Sequence, residues 1–354
     1  MSTFFHHELH PALSVVPGSQ EAPLPGFKPT RIRLARTHTD LPEGNELWTS
    51  RDHRKNRHQQ ESPLSGNVRQ TDSVWGKLGR MLIMEYWNVS WWVAVMFTVG
   101  SVVWVVNGFL VFLPFVNSHY TSNPDAIGWS GWVGATIFEV GSIFLIWEAW
   151  NRNDAAYFGQ SVEKFARAKY HPDVTGKGFR FAVLDEVISI ATKEGASPVD
   201  HTWIWFTLDT KYWREIGFVA GFTQLCAASI FWTSGLTGLP GIQEHLAPHW
   251  KLQAVFFWTP QVVGGSGFII SSALYMLETQ KKWYIPEPFQ LGWHIGFWNL
   301  IGGIGFTLCA AFGYSTQHWA EYQSSLSTFW GSWAFLIGSA IQWYEAVNPC
   351  MREG

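Results

Sequence analysis

Residues 137–151, IFEVGSIFLIWEAWN, and residues 334–348, AFLIGSAIQWYEAVN, match without a gap. Six of the fifteen positions are identical, including Gly141/Gly338, Ser142/Ser339, Glu148/Glu345 and Asn151/Asn348, and Trp147 is matched by Tyr344. Residues 268–280, FIISSALYMLETQ, keep part of the pattern as Ser271, Ser272 and Glu278. None of these stretches carries a polar stripe every three or four residues, as a helix on a water-soluble bundle would. Each belongs to an apolar run long enough to cross a hydrocarbon core of roughly 30 Å, which takes about 20 helical residues.

Six such runs are expected to span a membrane: 91–114, 132–150, 216–236, 254–277, 292–313 and 328–347. Only three charged side chains fall inside them: Glu139, Glu148 and Glu345. The expected fold is therefore all-α and polytopic, with six transmembrane helices arranged as three repeated hairpins (91–150, 216–277 and 292–347) of the same orientation. The odd helices align less well, on Gly100, Gly221 and Gly302. Residues 86–354 form the membrane domain, with a long loop at 151–215, and residues 1–85 form a tail. The lysines and arginines in tail, successive loops and C-terminus number 11, 0, 9, 1, 2, 0 and 1. The positive-inside rule then puts both termini in the cytosol. No basic leader precedes a long apolar core at the start, so no cleavable signal peptide is expected.

Charged residues make up 14% of the 354 and aromatics 17%, with 23 Trp, a balance far from that of a soluble enzyme. A net charge of −3 gives no reason to expect a nucleic-acid partner, and three Cys form no disulfide framework. The partner expected is the lipid bilayer, and nothing in the sequence supports a particular oligomer. Residues 1–75 hold seven Pro with scattered charge and read as disordered. The basic run at 51–58, RDHRKNRH, reads either as a contact with anionic lipid headgroups or as a solvated tail. Residues 154–170 have helical spacing and suit the membrane surface.

Several stretches resemble a fungal family of polytopic proteins labelled "integral membrane protein": WREIGFVAGFTQLCAASIFW, IISSALYMLETQKKWY, LGWHIGFWNLIGGIGFTLCAAFGY and TFWGSWAFLIGSAIQWYEAVN. The Gly-Ser…Glu helix also loosely resembles the hairpin of YrhK-like small membrane proteins. The resemblance covers about residues 85–354 and implies a membrane fold but no activity, cofactor or catalytic residue.

Function must then be sought in polar residues at depth. Glu139 lies near the bilayer centre, where a bare carboxylate costs on the order of 2.5–3.5 kcal/mol, so it is expected to face the bundle, protonated or hydrogen-bonded. Ser101, Gln224, Ser271, Ser272 and Asn299 fall near the same depth and with it form a candidate polar layer. That layer reads either as a proton, cation or small-solute transport site or as packing glue. Glu148, Glu278 and Glu345 form an acidic set at the cytosolic mouth, each opposing its helix dipole. Salt bridges to Arg152, Arg214, Lys281 or Arg80, or a shared cation, would offset this. His245 and His249 are i, i+4 and weak metal candidates, with Pro248 between them. Cys226 and Cys309 read as packing residues, and Cys350 as a possible palmitoylation site.

No cofactor is expected, and no nucleotide-binding or nucleophile motif argues for an enzyme. The sequence favours a small transporter or channel. A membrane-organising adaptor, using tail and loop to hold lipid or partners, is the alternative.

Overall fold

A computed structural model describes residues 13–36, 45–55, 73–152, 154–170 and 203–348. The described chain is mainly helical. Six long helices dominate: α3 (Val89–Val116), α4 (Pro124–Trp150), α6 (Ile216–Thr237), α7 (Trp250–Thr279), α8 (Leu291–Gly313) and α9 (His318–Val347). Shorter helices are α1 (Ser50–Arg54), α2 (Val74–Gly79) and α5 (Phe158–Tyr170). Among the described residues, five of the six long helices, all but α9, are long and apolar enough to cross a membrane. The chain is thus a helical, polytopic membrane protein.

α3 and α4 start ahead of their apolar runs because side-chain caps set their first turns. The Asn88 side chain accepts from the Ser90 N–H at 3.0 Å to start α3. Asn123 accepts from the Ala126 N–H at 3.1 Å, and Pro124 fills the first position of α4, eight residues before the expected start. The last helix begins at His318, ten residues early, on a polar turn.

The long helices form a closed ring. α3 packs on α4, α4 on α6, α6 on α7, α7 on α8, α8 on α9, and α9 returns to α3. Small residues allow close approach. A Cβ on Gly305 would lie 2.7 Å from the Gly331 Cα, so the α8–α9 crossing requires glycine there. Outward faces are apolar: Val99, Val102 and Val106 on α3, Val140 and Ile143 on α4, and Val263 and Ile270 on α7 are exposed. Inward faces carry Ser101, Ser142, Ser271, Ser332 and Ser339, all buried. Apolar outside and polar inside is the arrangement lipid favours, whereas in water so much exposed apolar surface would drive association.

The expectation of a disordered tail is corrected over 13–36 and 45–55. β1 (Leu13–Val15), β2 (Arg31–Arg36) and β3 (Asn45–Thr49) make an antiparallel sheet in the order β1-β2-β3. Its small core is Ile32, Leu34 and Trp48, with Val15 against them. The signal was the alternation Arg31-Ile32-Arg33-Leu34, a half-buried strand pattern that the surrounding prolines obscured. Lys28 Nζ meets Glu215 Oε1 at 2.7 Å, and Arg31 Nη1 meets Glu287 Oε1 at 3.1 Å. These pairs hold the sheet against the ring at the end where Glu148, Glu278 and Glu345 lie.

α5 begins at Phe158, and Val162 and Phe165 are exposed on it, as a surface-lying helix would have them. Cys350, residues 56–58 of the basic run and residues 171–202 of the long loop lie outside the described residues.

An ion-clamped axial cavity as the candidate functional site

The site starts with a single helical turn. Thr49 caps α1, its side chain accepting from the Asp52 N–H at 3.0 Å. Residues 51, 54 and 55 then stand at i, i+3 and i+4, on one helical face. That face enters the ring. Arg51, Arg54 and Lys55 are buried, as is His53, so the reading of this run as a solvated or lipid-contacting segment is corrected over 51–55.

Each cation bridges two of the three acids. Arg51 donates to Glu345 from Nε at 3.0 Å and Nη2 at 2.7 Å, with Nη1 3.9 Å from Glu278. Arg54 donates to Glu278 at 2.7 Å and to Glu148 at 3.2 Å. Lys55 Nζ lies 3.5 Å from Glu148 and 3.7 Å from Glu345. The result is a closed cycle of alternating charge, three positive against three negative. Ser90 adds a hydrogen bond to Glu148 at 2.5 Å, and Ser50 one to Glu278 at 3.4 Å. Burial opposes both guanidinium charges, but Glu345 beside Arg51, and Glu278 and Glu148 beside Arg54, outweigh it and raise both above the ordinary arginine value.

The salt bridges expected for these acids are therefore corrected. Arg152 pairs with Glu215, Lys281 lies 3.8 Å from Glu287, and Arg80 donates to Asn348 at 3.4 Å. The acids face inward, where among the described residues the cations that meet them come from the α1 turn. That turn is remote in sequence, which hid it.

Beneath the cycle lies a cavity with about 40 Å³ open to the centres of water molecules. At roughly 10–15 Å³ per water centre it holds about three waters. Arg51, Arg54 and Lys55 border one end, and Ser101, Gln224, Ser272, Asn299, Ser339 and Gln342 form its polar wall. The side-chain amides of Gln224, Asn299 and Gln342 make no hydrogen bond within the described residues, and the Tyr275 hydroxyl is buried without a partner. The Arg54 guanidinium sits 5.3 Å from the Tyr275 ring centroid, a cation–π contact.

Aromatic residues, one from each long helix, close the far side: Trp104, Phe138, Phe231, Phe268, Phe306 and Phe335. Trp104 and Phe306 meet edge to face at 4.8 Å, and Phe306 and Phe335 at 5.4 Å. About 10 Å³ is left among them, room for one water at most.

The expected polar layer thus divides. Ser101, Gln224, Ser272 and Asn299 reach the cavity. Ser271 instead donates to the Ala220 carbonyl at 2.8 Å, tying α7 to α6. Glu139 is half-buried and off the cavity, Oε1 accepting from Ser229 at 2.8 Å across the α4–α6 contact and Oε2 buried without a partner among the described residues. It is hydrogen-bonded as expected, but the expectation that it joins the polar layer inside the bundle is corrected. Depth was readable from position along the helix, but azimuth depended on how the helices are turned. Gln342, Tyr275 and Ser339 were missed. Their signal was alignment with Leu145 and Ser142, three and six residues before the acids.

Among the described residues no group of His, Cys, Asp and Glu is placed to hold a metal. His245 bonds the Gly241 carbonyl through Nδ1 at 2.5 Å, and the helix Ile242–Leu246 stops before His249, so the two histidines share no helical face. Cys309 accepts from Thr328 at 2.9 Å, within the α8–α9 contact, while Cys226 is exposed on the outer surface.

Ring, clamp and cavity together define a helical membrane protein with a closed polar compartment on its axis. No family model, curated protein or solved structure matches the chain. The resemblance drawn from its sequence rests on the quoted stretches alone.

Proposed function

We propose that all six long helices cross the membrane, with both termini cytosolic, and that their axis is a pathway for a small polar solute. α1 and the aromatic cluster would be its two closures. The observation that carries this is the cavity: among the described residues the amides of Gln224, Asn299 and Gln342 make no hydrogen bond and face a water-sized space between two closures, beside the buried and unpartnered Tyr275 hydroxyl. Packing glue would satisfy its own hydrogen bonds, because an unpaired buried polar group costs about 1–3 kcal/mol.

A threefold hairpin repeat supports the reading. Ten residues before Glu148, Glu278 and Glu345 stand Phe138, Phe268 and Phe335, and six before them Ser142, Ser272 and Ser339. On the odd helices Trp104, Phe231 and Phe306 are each preceded by seven residues to Phe97, Gln224 and Asn299, and by seven more to Ser90, Gly217 and Gly292. This register pairs Gly100 and Gly302 with Ala227 and displaces Gly221 from the earlier alignment. It also makes α9 equivalent to α4 and α7, and Trp333 and Ile337 give α9 an exposed apolar face. The membership suggested by the fungal resemblance is compatible with this architecture.

The test is flux in proteoliposomes for a panel of small solutes, with the full chain and with a variant carrying Arg51→Gln, Arg54→Gln and Lys55→Gln. Flux that differs between the two proteins supports the axial pathway. If neither protein moves any solute faster than empty liposomes, the pathway is rejected.

An adaptor role draws on a different observation, the sheet anchored to the ring by Lys28–Glu215 and Arg31–Glu287. It predicts an interaction lost with residues 1–49 and indifferent to Gln224→Leu.

A further inference from the structure

We infer that the axial cavity is a binding site for a small monovalent anion of halide size, which deepens the transport reading by naming its solute class. Charge decides the sign. Arg51, Arg54 and Lys55 border the cavity, while among the described residues no Asp or Glu does. Their carboxylate partners stand outside its wall, so the balanced cycle presents its positive side inward. A cation entering the same space would face three like charges at close range in a medium that screens weakly.

The remaining polar groups suit an anion. Gln224, Asn299 and Gln342 each offer two amide N–H donors, and Tyr275 a hydroxyl, none engaged within the described residues. Amides alone would serve either sign, since they also carry carbonyls; the neighbouring cations make the donors the useful end. Size sets the rest. Room for about three waters admits a halide or an ion of similar bulk and excludes a sugar or nucleotide phosphate. Phe97, Phe138 and Phe335 supply dry walls that strengthen the attraction.

The experiment follows the thermal unfolding midpoint of the full chain in detergent as sodium chloride replaces sodium gluconate at constant ionic strength. A ligand bound only by the folded state raises the midpoint saturably. A saturable rise is expected with chloride, unchanged when choline replaces sodium, and weakened about tenfold in apparent affinity (about 1.4 kcal/mol) by Gln224→Leu and by Asn299→Leu. Gln342→Leu serves if one of these fails to fold. Equal responses to chloride and gluconate, a rise that tracks the cation, or titrations untouched by the substitutions would overturn the assignment. The readout does not use flux. Chloride binding without transport of any solute keeps the site and removes the pathway; flux of rubidium or urea without a chloride response does the reverse.

Discussion

Arg51 and Glu345, 294 positions apart in the chain, meet through two parallel hydrogen bonds, Nε to Oε1 at 3.0 Å and Nη2 to Oε2 at 2.7 Å. This planar fork is the strongest link in a cycle where each acid has two cationic neighbours. Lysine at position 51 could not reproduce it, since an ammonium has no such geometry.

Breaking the cycle at one acid leaves two guanidinium groups sharing a surplus buried charge. Glu278→Gln is expected to cost about 3–5 kcal/mol, read from chemical unfolding in detergent. Lys55→Met should cost less, because its contacts with the acids of the cycle are the longer ones, at 3.5 and 3.7 Å. A larger loss for Lys55→Met would mean that the arginines do not dominate the clamp.

The raised values of Arg51 and Arg54 set the sign of the pH response. A basic group whose folded value exceeds its unfolded one contributes stability that is fully present below the unfolded value. That stability is lost only as pH rises through the folded value, here above the ordinary arginine range. Protection of residues 45–55 from proteinase K should therefore show no loss from arginine titration between about pH 6 and pH 10. The Lys55→Arg variant, with guanidinium groups at all three positions, isolates that contribution. A protection step within that window in the variant would contradict it.

Gly305→Val places a side chain against the Gly331 Cα, where a Cβ alone would already be 2.7 Å away. Backbone cannot give way as a flexible side chain does. The expected loss is about 1–3 kcal/mol, with a lowered thermal midpoint.

Glu139→Gln keeps a carbonyl oxygen to accept from Ser229. Off the cavity, it should leave chloride binding and flux unchanged. A loss of flux in this variant alone would return the site to the α4–α6 contact.

The proposed six crossings would put both termini on one side. Tags at the two ends should both be protected in unbroken cells, and alkaline carbonate should leave the protein in the pellet. A C-terminal tag reachable from outside would remove α9 from the membrane.

Much of the architecture was legible because lipid imposes it residue by residue. Long apolar runs had to be helices, since no water satisfies backbone groups in hydrocarbon. Among the described residues, five of the six helices found this way are long and apolar enough to cross, and α9 falls short because Thr328, Ser332, Ser339, Gln342 and Glu345 spread polar groups along its whole length. The recurrent Gly-Ser…Glu pattern drew attention to Glu148, Glu278 and Glu345 without revealing what faced them.

The sequence by itself determined that this is a helical membrane protein, and at which depths its polar side chains lie, because both depend on local composition and a fixed rise per residue. Only the tertiary structure decided which of those side chains share the axis. Glu139 and Gln224 are both near mid-depth, yet one is off the cavity and the other lines it, because a modest rotation of each helix in the ring separates them. It also decided that a short basic turn from the N-terminal region fills the acidic mouth. Arg51, Arg54 and Lys55 find their acids through three-dimensional proximity, and no spacing along the chain encodes that.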